Sequence, residues 1–325
     1  MVNVLGIISV IIGVLGMVGN CVVCIVIWRI PHMHTVTNAF LCNQAVADLV
    51  GSLIFLLFFN IPALERLPPG IRGWLYCYLW KSEATLWMFL FTSAMSLVLV
   101  TLERYLAIVY PFKYQVLLTL RWVPALGIAM TWLIGTSVAL CIFALIDYSG
   151  PDCKCKVAMP PPSGHPLNKI VQATNVVTFV IPAWTMLFAY IHIAIILKRG
   201  ARQTQPVGAI SMVMTQIQNN GAASQPPSST EPLPETQGDS LLRARRNVIK
   251  TLVLVCLAYF ICWLPNTVML AGHFKGLPYS IATVLAATNS CINPVIYTIK
   301  YCSFRKGLRI LVCGKHSTTV RTDGS

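Results

Sequence analysis

Only ten of the 325 residues are acidic, so the groups able to do acid–base or metal chemistry are few and their placement is informative. Asp48 lies inside a long apolar stretch. Glu103, Arg104 and Tyr105 stand together near the end of another. Asn20, Ser93, Asn289, Ser290 and Asn293 place neutral oxygens in further apolar stretches. One carboxylate among neutral oxygens is a donor set for a small cation such as sodium. The same residues could instead form a satisfied polar network that joins helices. The six histidines (His32, His34, His165, His192, His273, His316) are scattered, and only His192 falls within an apolar stretch. With no carboxylates clustered beside them they make no hydrolytic constellation. Cys153-Lys154-Cys155 has the look of half a metal site, but no second ligand cluster is close in sequence.

The elements that must position these groups follow from composition. Hydrophobic residues make up 56% of the chain and charged residues 10%, against about 25% charged in a soluble domain. Mean hydropathy is +0.70. Disorder, a disulfide-dense secreted scaffold and an ordinary soluble enzyme are excluded, and the bilayer is the remaining solvent. Seven apolar stretches run roughly over Val4–Trp28, Val36–Ile61, Trp80–Tyr110, Val123–Leu145, Ile170–Leu197, Val248–Ala271 and Tyr279–Ile299. Each reaches the ~20 residues a helix needs to cross the hydrocarbon core. Pro182, Pro265 and Pro294 sit inside three of them, which a packed membrane bundle tolerates because neighbouring groups satisfy the freed carbonyls. The fold expected is an all-α membrane protein, a seven-helix bundle over 1–300, followed by a short amphipathic helix and tail over 301–325. The first stretch has no basic region before it and no clear cleavage site after it, so it reads as a retained helix rather than a signal peptide.

Orientation follows from Lys and Arg. Seventeen of the twenty-four fall in the segments after helices one, three, five and seven, and seven in the others. The N-terminus is therefore expected outside and the C-terminus in the cytoplasm. The net charge of +14 then reflects topology and contact with anionic lipid, and no nucleic-acid face is implied. Residues 200–240, rich in Gln, Pro, Ser, Gly and Thr, read as a flexible cytoplasmic loop. Three cysteines fall in outside segments: Cys77, Cys153 and Cys155. An oxidising exterior permits a bridge from Cys77 to either of the other two, leaving one thiol over.

Helix three carries Ser82, Thr85, Phe89, Ser93, Ser96 and Val100 at steps of three or four, one face whose polar members should look into the bundle. Its end bears Glu103-Arg104-Tyr105, with Pro111 seven residues after the Arg. Helix one has Gly19-Asn20, and helix two has Asn43 with Ala47-Asp48. Helix four has Trp132, and helix five has Pro182 with Tyr190 eight residues on. Helix six has Cys262-Trp263-Leu264-Pro265, and helix seven has Asn293-Pro294-Val295-Ile296-Tyr297. In this order the chain resembles a rhodopsin-like (class A) G-protein-coupled receptor over nearly its whole length, and it is most similar to the peptide-receptor branch.

The resemblance implies a receptor, not an enzyme. An extracellular ligand, expected to be a neuropeptide or peptide hormone, would shift Trp263 and open helix six about Pro265. Arg104 would then leave Glu103 and meet a heterotrimeric G protein beside Tyr190 and Tyr297. The resemblance also favours an allosteric sodium ion at Asp48, Ser93, Asn289 and Asn293 over plain helix glue. Phe304, Leu308 and Leu311 mark the apolar side of a helix lying on the membrane, with Arg305, Lys306 and Arg309 toward water. Cys313 after it is a candidate for palmitoylation.

The chain also departs from the family pattern. Cys77 lies 27 residues before Arg104 where the family usually has 25, so the start of helix three is expected to be shifted or bulged. Tyr259 stands where Phe is common. Arg245 replaces the acid that in some members locks the helix-three Arg. No Asn-x-Ser/Thr acceptor occurs, which a truncated start or a glycan-free receptor would each explain. Eighteen residues before Arg104, where monoamine receptors carry an Asp, stands Leu86, so a protonated amine lacks that counter-ion. Seven residues before Pro294, where opsins carry the Schiff-base lysine, stands Ala287. The expected ligand pocket is Leu86, Trp87, Trp184 and Trp263, in an outer cavity with Trp80, Phe274 and Tyr279. That lining suits a peptide, the alternative being a non-peptide small molecule or lipid. A transporter would show inverted repeats and broken helices in matching positions, which the sequence lacks.

Overall fold

The computed structural model describes residues 4–62, 64, 66–149, 154–157, 167–199 and 237–313, with the side chains of 118–119, 154, 157 and 237–252 outside that description. The expected loop over 200–240 lies outside the described residues as far as 236, and helix has already begun at Gln237. Cys153, the tail beyond Cys313 and the side chain of Arg245 also lie outside them.

The helices are α1 (Val4–Arg29), α2 (Val36–Asn60), α3 (Ile71–Leu75), α4 (Ala84–Val109), α5 (Pro111–Thr119), α6 (Trp122–Phe143), α7 (Asn168–Asn175), α8 (181–199), α9 (Gln237–Ala271), α10 (Leu277–Lys300) and α11 (Cys302–Cys313). A π-helical segment, Tyr76–Lys81, joins α3 to the turn before α4, and another, Val176–Val180, joins α7 to α8. Among the described residues, six continuous spans are long and apolar enough to cross a membrane: α1, α2, Ile71–Val109, α6, Asn168–Arg199 and Val253–Ala271. α10 packs against α9 and α1. It carries Pro294 and a polar row of Thr283, Asn289, Ser290 and Asn293, all buried, which lowers its apolar character.

The bundle is inverted relative to a soluble one only on its rim. α8 buries Ala183, Met186, Tyr190 and Ile193, a stripe at helical spacing, and turns Trp184, Phe188, Ile191 and Ile195 outward. Large apolar side chains on that outer surface suit lipid rather than water. Small residues allow close helix approach. A Cβ on Gly19 would come within 2.9 Å of Pro294, so α1 can ride against the α10 kink only without one. A Cβ on Gly135 would meet the Met88 carbonyl at 2.7 Å, fixing α6 against α4 in the same way.

The expected irregularity before helix three is present. The π segment is followed by Glu83 in the left-handed region (φ 60°, ψ 6°) before α4 begins. A π turn inserts an extra residue without breaking the helix, so it takes up part of the excess between Cys77 and Arg104. The strands β1 (Ile146–Ser149) and β2 (Lys154–Val157) pair antiparallel, with Tyr148 opposite Cys155. Cys155 on β2 forms a disulfide with Cys77 of the π segment.

Candidate functional site

Glu103 and Arg104 close α4 at the end of the bundle opposite the disulfide. Arg104 Nε lies 3.2 Å from Glu103 Oε2, an ion pair. The carboxylate is buried, and two neutral donors share its other oxygen. Thr37 on α2 donates to Oε1 at 2.8 Å, and the Tyr114 hydroxyl on α5 donates to it as well. Burial, together with the carboxylate beside it, pushes the Tyr114 hydroxyl up to about 12, so it remains a protonated donor at neutral pH. Tyr105 meets His192 on α8, with 2.9 Å between the hydroxyl and Nδ1. Read from sequence, His192 stood alone.

Tyr190 and Tyr297, expected beside Arg104 on activation, hold other partners in this structure. Tyr190 bonds Thr101 at 2.7 Å, and Tyr297 donates to Gln44 at 3.1 Å. Both are buried, so each hydroxyl needs a partner wherever the helices stand. Asn43 joins three helices: it donates to Ser96 (2.8 Å) and Thr131 (3.3 Å), and the Trp132 indole N–H donates to its Oδ1 at 2.9 Å.

At mid-bundle Asp48 is fully enclosed. Asn293 donates to its Oδ2 at 3.1 Å. Asp48 Oδ1, Ser93 Oγ, Asn289 Oδ1, Ser290 Oγ and Asn293 Oδ1 are buried without a hydrogen-bond partner. Asn20, grouped with them in sequence, is occupied instead, donating to the Gly16 and Ser290 carbonyls. Buried polar atoms are normally satisfied, so five orphaned oxygens on α2, α4 and α10 need a common explanation. One carboxylate with hydroxyl and amide oxygens fits a hard cation that prefers oxygen ligands.

Above Asp48 runs an aromatic column. Trp87 and Phe91 on α4 meet Trp263 on α9, with ring centroids 6.4 and 5.1 Å from it. Trp263 meets Tyr259 at 5.8 Å, and Tyr259 stacks on Phe179 at 5.9 Å. Tyr259, the departure from Phe, donates to the Thr178 carbonyl at 2.9 Å within the π segment before α8. Its hydroxyl thus ties α9 to the turn whose backbone ladder is irregular. Pro265 lies two residues beyond Trp263 in α9, and Pro294 inside α10.

The four residues of the expected ligand pocket fall in different surroundings. Trp184 is 66% exposed, because it falls on the outward face of α8 next to Ala183 of the inward stripe. Leu86 is packed into the core, 1% exposed, and does not line the cavity found at the disulfide end. Trp87 does line that cavity, with Phe91, Ile142, Val171 and Leu270, and with Thr174 and Thr178 among its few polar neighbours. Trp263 stands beside the cavity rather than in its wall, through its contact with Trp87. Of the outer aromatics, Phe274 is exposed and Trp80 packs on Phe58.

Glu83 was missed in sequence. Its signal was available, an acid in an apolar stretch between Ser82 and Ala84. α11 has Phe304 buried and Arg305, Lys306 and Arg309 exposed, the amphipathic division expected, and Cys313 is an exposed free thiol at its end.

A family model described as "7 transmembrane receptor (rhodopsin family)" matches residues 19–297. The chain therefore belongs to the rhodopsin family of seven-transmembrane receptors, G-protein-coupled receptors rather than enzymes. It is 26% identical over 313 residues to trace amine-associated receptor 9 of Rattus norvegicus, covering 93% of this chain and 84% of that one. It is 26% identical to cholecystokinin receptor type A of Cavia porcellus (90% and 76% covered) and to somatostatin receptor type 5 of Rattus norvegicus (92% and 74%).

Proposed function

We propose that this receptor binds an extracellular ligand of peptide class at its disulfide end and activates heterotrimeric G proteins at its Arg104 end. The N-terminus is then extracellular and the C-terminus cytoplasmic. α10 serves as the seventh span, and α11 lies on the inner leaflet with Cys313 placed for palmitoylation. The carrying observation is the Glu103–Arg104 ion pair. A cation one residue from a buried carboxylate can be held at rest and released to a partner when the helices around it move. The relatives include amine receptors as well as peptide receptors. What supports a peptide here is Leu86, at the position where monoamine receptors carry their counter-ion. In this reading sodium, held by Asp48, Ser93, Asn289 and Asn293, stabilises the resting state, so that agonist and sodium oppose each other.

The test needs no ligand. Glu103→Gln should raise basal G-protein dissociation, since a bias of ~1.4 kcal/mol changes the active-to-resting ratio tenfold. Arg104→Ala should silence signalling while leaving expression and thermal stability near those of the parent. No basal rise in any G-protein class, together with intact signalling from Arg104→Ala, overturns the reading.

A further inference from the structure

The span Ile71–Val109 is 39 residues long, roughly 58 Å at the helical rise and about twice the ~30 Å of hydrocarbon it has to cross. α4 alone, with 26 residues and about 39 Å, is sufficient. Ile71–Lys81 is therefore surplus to the crossing. Glu83 sets it apart from α4, because a right-handed helix does not run through a left-handed residue and the chain changes direction there. Ring contacts fix where the surplus lies. Trp80 meets Phe58, near the end of α2, at 6.2 Å, and Tyr78 meets Phe143, the last residue of α6, edge-on at 5.3 Å. The segment thus lies across the disulfide-side ends of α2 and α6, at the depth where those membrane helices stop. One of its faces is committed to the protein. Gly73 sits so close to the Pro68 carbonyl and the Tyr148 hydroxyl that a Cβ would collide with both, and Cys77, one turn on, is held in the disulfide. The opposite face carries Ile71, Trp74, Leu75 and Leu79 at helical spacing, all exposed. Arg72 and Lys81 are exposed near the two ends, and the segment contains no acid.

We propose that Ile71–Lys81 is an interfacial helix that inserts Ile71, Trp74, Leu75 and Leu79 into the phospholipid leaflet on the disulfide side of the membrane. Large apolar side chains along one helical face, a tryptophan among them, settle at the boundary between headgroups and acyl chains. The long stems of Arg72 and Lys81 let their charges reach lipid phosphates while the apolar row stays below. The two helices the segment crosses carry exposed apolar side chains as well, Leu53 on α2 and Leu133 and Leu140 on α6, so the row sits at the edge of a surface already given to lipid. Phospholipid covers the row, the basic ends and those helix surfaces with one medium, whereas a protein docked on the row alone would leave the rest to lipid. The leaflet then holds more than the segment. The Cys77–Cys155 bridge joins it to β2, and Tyr148 on β1 donates to the Gly70 carbonyl at 3.2 Å, so the paired strands follow the anchor. The inference rests on membership of the seven-transmembrane family and is independent of the ligand and of the G-protein step.

The experiment places the purified full-length receptor, a single copy per disc, in phosphatidylcholine nanodiscs, where no second receptor and no other protein can cover the row. Tryptophan fluorescence of the parent minus that of Trp74→Phe gives the Trp74 signal. Phosphatidylcholine brominated near the headgroup or near the chain end quenches indoles that lie shallow or deep in lipid, and iodide quenches those that face water. The Trp74 signal should fall roughly twofold with the shallow bromines, fall less with the deep ones, and be protected from iodide. The double variant Ile71→Asp with Leu75→Asp should lose the lipid quenching and gain iodide quenching. Where Trp74→Phe disturbs the fold, Leu79→Trp in the parent supplies a second reporter on the same row, with the same expected pattern. A Trp74 signal indifferent to both brominated lipids overturns the proposal. If iodide reaches it, the row faces water and is left for a protein partner; if neither quencher does, the row is packed within the receptor. Lipid quenching that persists undiminished in the double variant also overturns it.

Discussion

The Thr37 hydroxyl on α2 donates a 2.8 Å hydrogen bond to Glu103, 66 residues away. It acts on the carboxylate that pairs with Arg104, so the resting position of the arginine depends on a helix that carries none of the motif. Because Thr37 and Tyr114 are neutral, they stabilise Glu103 whether or not Arg104 stays.

That relationship predicts a direction opposite to the loss of the charge itself. In Thr37→Val or Tyr114→Phe the buried carboxylate keeps its cation and one neutral donor instead of two, and releasing Arg104 becomes costlier. A hydrogen bond to a charged group contributes ~1.5–3 kcal/mol. Each variant should therefore lower basal and agonist-driven signalling several-fold, with some loss of thermal stability, while Glu103→Gln raises basal signalling. A rise in basal signal in either variant would show that these donors act only at rest.

The orphaned oxygens around Asp48 predict ion specificity. Sodium chloride should raise the unfolding midpoint above that in choline chloride at equal ionic strength, by mass action on the resting state. Asp48→Asn removes the charge that offsets dehydration of the ion and should abolish the difference. A sodium effect of the same size in Asp48→Asn assigns Asp48 to helix packing.

Tyr259 links α9 to the π segment before α8 through one hydroxyl. Tyr259→Phe keeps the ring stack on Phe179 and Trp263 and loses about 1 kcal/mol of hydrogen bonding. The midpoint should fall modestly, and basal signalling should rise about fivefold as α9 is less restrained. If neither quantity moves, the hydroxyl contributes nothing to holding the resting bundle.

The sequence by itself determined six of the spans, the family and the motif residues. These are written locally: ~20 apolar residues are a membrane helix in any context, and Asp48, Glu103-Arg104 and Asn293-Pro294 are conspicuous because polarity is costly there. It left open which cysteine Cys77 would pair with, and the tertiary structure pairs it with Cys155. Tertiary structure alone decided that Trp184 faces outward while Trp87 faces in, since both are tryptophans in apolar helices and only helical phase separates them. It decided that Thr37 and Tyr114 meet on Glu103, a contact between residues that no short window of sequence contains. And it decided the setting of Glu83. An extra residue in a π turn and one left-handed residue rotate everything before them, and such backbone irregularities follow from packing rather than from hydrophobic period.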